Sequence, residues 1–174
     1  MFHAVYLDPV KVEQQPKLTP QPVPAEPDPT LTSYSITIRH GDNFAKRLKS
    51  LGCGKNVNDS ITATNFPLVV DKAKGNETRE VVVAHFNRYM SSEEVVDILN
   101  KLGYRPGTFE ELIAFGADHP EVQRSVALGT VVSLDGERHV SCLSSSSSDR
   151  YLDRGWFDND WNSVYRFLAV RMSA

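Results

Sequence analysis

The densest run of hydrogen-bonding side chains is Ser144 to Phe167, SSSSSDRYLDRGWFDNDWNSVYRF, which also holds both tryptophans of the chain. Hydroxyls, amides and carboxylates packed at this density suit recognition, because they donate and accept hydrogen bonds in many geometries. Bond-breaking chemistry is poorly served. His139 stands near the serines, but no GxSxG elbow or comparable context sets a serine against a base, so a structural histidine with satisfied nitrogens is expected. His40, His85 and His119 are isolated, and none forms the i, i+4 pair of a helix-borne metal site. Cys53 and Cys142 belong to no CxxC or Cys/His cluster and read as reduced, structural thiols. Asp158, Asn159 and Asp160 offer the hard oxygens that calcium takes, yet a solvated polar turn accounts for them, so neither metal nor cofactor is expected. Arg150, Arg154 and Arg166 are expected to pair with neighbouring aspartates.

Those residues must be held by something, and composition says what is available. The chain has 174 residues, 40% hydrophobic and 24% charged, with a formal net charge of −3. That length suits one domain with a tail, long enough to bury a core. The acidic balance, with a pI of about 5.9, excludes a dedicated nucleic-acid or anionic-membrane binder, and the C-terminal aromatics alternate with Asp rather than with a Lys/Arg stripe. No basic-then-apolar leader opens the chain and no run nears the roughly 18 apolar residues of a membrane span. The expectation is a protein cytoplasmic as synthesised, without membrane insertion.

Residues 1–13 carry apolar β-formers, Phe2, Val5, Tyr6 and Leu7, and predict a short N-terminal strand. Residues 14–32 hold Pro16, Pro20, Pro22, Pro24, Pro27 and Pro29 and predict an extended linker. Its loose PxxP spacing reads as a spacer more readily than as a ligand for a proline-recognising domain. The folded domain is then 33–174. In it, Ser33–Ile38 alternates as a strand, Asn43–Leu51 predicts a helix ended by Gly52, and NVNDSITATNFPLV predicts a surface loop anchored by Ile61 and Phe66. Gly75-Asn76 marks a turn before Glu80–Phe86, a strand whose consecutive valines predict burial on both faces.

Two helices carry the clearest signals. Ser91 with Glu94, and Thr108 with Glu111, have the spacing of capping boxes. Val95, Ile98, Leu99 and Leu102 share one helical face, and Phe109, Leu112, Ile113 and Phe115 supply another. Beyond His119-Pro120 the pattern turns to strands: a hairpin about Asp135-Gly136 and a last strand from Tyr165 to Met172. Helices followed by antiparallel strands predict an α+β domain.

The opening stretch falls between that hairpin and the last strand. Trp156, Phe157, Trp161 and Phe167 are expected to be scaffold anchors, since side chains so large and apolar belong inside. The polar residues between them then face solvent, giving a firmly rooted surface of Ser, Asn, Asp and Tyr with the composition of antibody-like paratopes.

The order HFNRYMSSEE, LGYRPGTFEELIAFGADHPEVQ, VALGTVVSLDGERHVSCL and RYLDRGWFDNDWNSVYRFLAVR resembles the variable proteins of diversity-generating retroelements. The likeness covers roughly residues 56–172, and its most specific part is the C-terminal W…W…YRFLAVR pattern. The resemblance implies a C-type-lectin-like fold, related to formylglycine-generating enzymes, with two helices and a small antiparallel sheet. It also implies a noncatalytic, target-recognising protein, diversified over about 141–171 by copying adenines with errors. Trp and Phe codons hold no adenine, whereas Asn, Ser, Asp and Tyr are what altered asparagine codons commonly yield. The ligand-binding positions are accordingly expected at Ser146, Ser148, Asp149, Tyr151, Asp153, Asp158, Asn159, Asp160, Asn162, Ser163 and Tyr165. The EPN, QPD and WND signatures of calcium-dependent lectins are absent, and the oxidase relatives need a cysteine pair where this chain has Cys142 alone. The partner is an unnamed protein or surface ligand, and oligomeric state, display on a surface or virion, and ligand identity stay open. The alternatives are an undiversified interaction domain, or a small hydrolase or oxidase using Cys142 or a loop serine.

Overall fold

Past Pro29 the prolines stop until Pro67, and the chain enters a strand at once. The computed structural model describes residues 28–134 and 137–173, so the expected strand at 1–13, most of the linker and the Asp135-Gly136 turn lie outside the described residues. Thr30–Arg39 (β1) pairs antiparallel along its whole length with Asn76–His85 (β2). Three residues assigned to the linker, Thr30, Leu31 and Thr32, are therefore part of the sheet. Between these strands Phe44–Leu51 (α1) begins where the Asn43 side chain accepts the Lys46 N–H at 2.9 Å and stops at Gly52, whose φ of 73° suits glycine.

Met90–Ser91 (β3) leads into Ser92–Lys101 (α2), and Tyr104–Pro106 (β4) into Phe109–Asp118 (α3). Both capping boxes form, Ser91 with Glu94 and Thr108 with Glu111. The Tyr-Arg-Pro segment between α2 and α3 forms β4 by pairing antiparallel with the last strand. Pro120–Ser125 (α4) is a short helix before the strands expected beyond His119-Pro120: proline at the first helical position loses no hydrogen bond and pre-sets the helical φ. Ala127–Leu134 (β5), Glu137–Ser145 (β6) and Arg150–Trp156 (β7) then form a meander, followed by Asp160–Trp161 (β8) and Tyr165–Arg171 (β9).

Among the described residues the main sheet has seven strands in the order β1-β2-β9-β5-β6-β7, with β4 beside β9, and β3 pairs β8 separately. Pairing is antiparallel except between β5 and β9. The mixed α+β class holds, but among the described residues four helices and a seven-stranded sheet stand where two helices and a small sheet were expected.

Alternation along β2 explains how one sheet serves two cores. Val81 and Val83 enter a cluster with Leu51, Leu112, Phe115, Leu143 and Leu152 on the side of α1 and α3, while Val82 and Ala84 enter one with Val95, Leu99, Phe157, Trp161 and Phe167 on the side of α2. Gly116 lets α3 lie against the first core, since a Cβ there would stand 2.4 Å from Leu51 Cδ1 and 2.7 Å from Leu143 Cδ1. The 52–70 loop buries Ile61 and Phe66 and guards the outer edge of β7, where Leu152 donates to Asn56 and accepts from Asn58. Among the described residues no helix is long and apolar enough to cross a membrane.

Candidate ligand-binding surface

Much of the Ser/Asp/Asn-rich stretch is a strand rather than a loop. β6 and β7 pair in register from Ser145–Arg150 to His139–Trp156, so the side chains between them alternate faces in step. Arg150 and Leu152 point inward to the α3 side. Arg150 is buried without an acidic partner among the described residues: its Nε donates to Gln123 Oε1 at 3.0 Å and its Nη2 to the Gly116 carbonyl. Burial lowers its pKa, as it does that of Arg166. Arg166 is instead held by carbonyls of Ser163, Val164 and Tyr165 at 2.9–3.3 Å, and Arg154 lies 5.4 Å over the Trp156 ring. The aspartate ion pairs expected for these three arginines do not form among the described residues.

Tyr151 and Asp153 take the opposite face of β7, with Asp153 directly across from Cys142. On the same side Tyr165 packs edge-on against Trp161, ring centroids 4.9 Å apart. Burial, with Cys142 and Asp153 nearby, raises the Tyr165 pKa, so its hydroxyl stays a donor. Beneath this group Trp161 is the floor. It is 5% exposed, its Nε1–H donates to the buried Ser92 Oγ at 2.7 Å, and it meets Phe167 edge-to-face. Gly155 leaves room for the indole, since a Cβ at 155 would lie 3.1 Å from Trp161 Cη2. Phe157, also buried, is capped by the Arg138 guanidinium 3.8 Å from its centroid.

Asn159 and Asn162 border this patch from the turns on either side of β8. Asn159 Nδ2 lies 3.6 Å from the point where a Gly155 Cβ would be, and Asn162 Oδ1 accepts the Val164 N–H at 3.0 Å. Asp160 is exposed within β8 and Ser163 is exposed just before β9, its carbonyl accepting from His85 Nε2 at 2.9 Å. The structure thus brings Asn159 and Tyr165 against Trp161, with Asp153 close to Tyr165, while Tyr151 lies further along the same face of β7 and Asn162 directly follows Trp161. Ser146, Ser148 and Asp149 form a separate, self-bonded tip of the β6–β7 hairpin: Asp149 donates its N–H to Ser146 Oγ at 3.2 Å and accepts from Ser148 Oγ at 2.7 Å. Seven-residue β7 sets that tip about 20 Å from Asp158. Every one of the eleven expected contact positions is exposed or half-buried.

One expected anchor is not an anchor. Trp156 is 60% exposed, packed only on its flank by His139 at 5.4 Å and Arg154. Adjacent residues of an extended chain point to opposite faces, so Trp156 and Phe157 had no common side to enter; the WF pair carried that signal. Trp156 instead lines a hollow of about 360 Å³ with Glu137, Arg138, Phe157 and Asp158, and exposed Trp beside Arg is the composition of a binding hot spot. His139 also departs from expectation: it is buried, but among the described residues its Nδ1 has no hydrogen-bond partner, nor has the buried Ser141 Oγ. Both cysteines are free and buried, as structural thiols are. Asp158, Asn159 and Asp160 are exposed, and among the described residues no three His, Cys, Asp or Glu side chains converge as a metal site.

No family model, curated protein or solved structure matches this chain.

Proposed function

We propose that the chain is a noncatalytic target-recognition protein on a C-type-lectin-like scaffold, its C-terminal surface diversified by retroelement-directed adenine mutagenesis. One observation carries the reading: from Ser146 to Phe167, residue types that altered asparagine codons yield lie at the surface, while Phe157, Trp161 and Phe167, whose codons hold no adenine, are buried. Trp156 adds a contact that codon chemistry would keep constant amid changing neighbours. Burial, with Asp153 beside it, pushes the Cys142 thiol up to about 12, so the thiolate that an oxidase or hydrolase would need is not formed at neutral pH.

The test lies in the DNA around the gene. A near-copy of the segment encoding Ser141–Arg171, differing at adenines and close to a reverse transcriptase gene, is the expected finding. A locus with no such repeat overturns diversification and leaves an undiversified interaction domain. The physical side is tested by a library randomised at the exposed positions Asp153, Asp158, Asn159, Asp160 and Ser163. Surface changes away from special features cost within about ±0.5 kcal/mol each, so most members are expected to melt within a few degrees of the parent; widespread unfolding contradicts a permissive surface.

A further inference from the structure

We infer that a second hollow, at the end of the sheet where β5 and β9 begin, binds an oxyanion group of a ligand, a carboxylate or a phosphate ester. It encloses about 500 Å³, is lined by His85, Arg124, Ser144, Ser145, Ser163 and Arg166 among others, and no acidic side chain lines it. That volume falls in the range of small-ligand sites. The clustering of positive charge runs against the whole chain, whose net charge is −3.

The two guanidinium groups are prepared differently. Arg166 Nη1 is fixed by the carbonyls of Ser163, Val164 and Tyr165, which orient the group without cancelling its charge. Arg124 is exposed in the last turn of α4 and forms no ion pair among the described residues; the acid of that helix, Glu121, lies 3.6 Å from His119 instead. His85 is held by its Nε2 bond to the Ser163 carbonyl. Ser145 Oγ, bonded to the Arg124 carbonyl, ties the end of β6 to α4 across the hollow. Arginine meets carboxylate and phosphate oxygens bidentately, and hydroxyls complete the shell of such a group. A fixed cation, a reachable one and several hydroxyls in one concavity are thus a receptor for an acid. This inference stands whether or not the gene is diversified, because none of the three basic side chains is among the expected variable positions.

The test is an NMR titration of the full chain with phenyl phosphate, with benzoate, and with sodium chloride at matched ionic strength. Saturable shifts of the Ser144, Ser145, Ser163 and Arg166 amides are expected with at least one organic anion and not with chloride, and the tighter of the two anions identifies the source. R124A removes an exposed side chain and is expected to weaken binding about tenfold, the loss of one charge-assisted hydrogen bond. R124K is expected to recover part of it. Shifts no different from chloride, or saturable shifts that R124A leaves unchanged, overturn the site.

Discussion

Two tryptophans five positions apart in sequence occupy opposite environments, and their substitutions are expected to separate cleanly. Trp161→Ala deletes a buried indole and its bond to Ser92 and is expected to cost about 3–5 kcal/mol. Trp156→Ala, at a largely exposed site, is expected to change stability by no more than about 0.5 kcal/mol while weakening target binding. Chemical denaturation of the two variants checks this, and acrylamide quenching adds a second readout: the fluorescence lost in the Trp156 variant is the quenchable part. Equal destabilisation by both overturns the distinction. Glu111 is the other decisive residue. It is fully buried, accepts from the Thr108 N–H, Arg79 and Arg105, and replacing it with glutamine is expected to cost about 2–3 kcal/mol.

At the scale of elements, close approach between α3 and β6 rests on a missing side chain. Gly116→Ala would drive a methyl into Leu51 and Leu143, and overpacking of this kind is expected to cost about 1–3 kcal/mol despite alanine's higher helix propensity. A melting temperature that rises on this change would show that α3 has room the packing denies it. β7 is held along one edge by β6 and braced at the other by Asn56 and Asn58. Leu152 fixes the inward side of the strand, and Asp153 is exposed on the outward side.

For the whole molecule, acid is the revealing perturbation. Burial favours protonation of Glu111, but its hydrogen bonds from Arg105, the Thr108 N–H and Arg79 outweigh it and hold the pKa near 2, against an ordinary 4.5. Lys74, His40 and Arg79 hold Glu77 equally low. Folded values below the unfolded ones mean that the unfolded chain binds protons first as pH falls. The stability these carboxylates contribute is therefore complete above about pH 4.5 and lost progressively towards pH 2. A melting-temperature profile is expected to fall through that window, and E111Q to flatten it by its own share; an E111Q profile as steep as the parent's contradicts the assignment.

What the sequence determined by itself was local. Capping boxes at Ser91 and Thr108, the glycine stop at 52, the valine run of β2 and the paired strands flanking Asp135-Gly136 are short-range signals, set by hydrogen bonds and side-chain periodicity within a few residues. The polar character of the C-terminal stretch was legible in the same way, although much of it is strand. Tertiary structure decided what depends on distant partners: that Tyr104–Pro106 is a strand because β9 lies beside it, and that β5 runs parallel to β9. It also decided that Trp156 faces outward while Trp161 fills the space left by Gly155. An indole is apolar wherever it stands, and only packing between elements far apart in the chain settles which one finds a place inside.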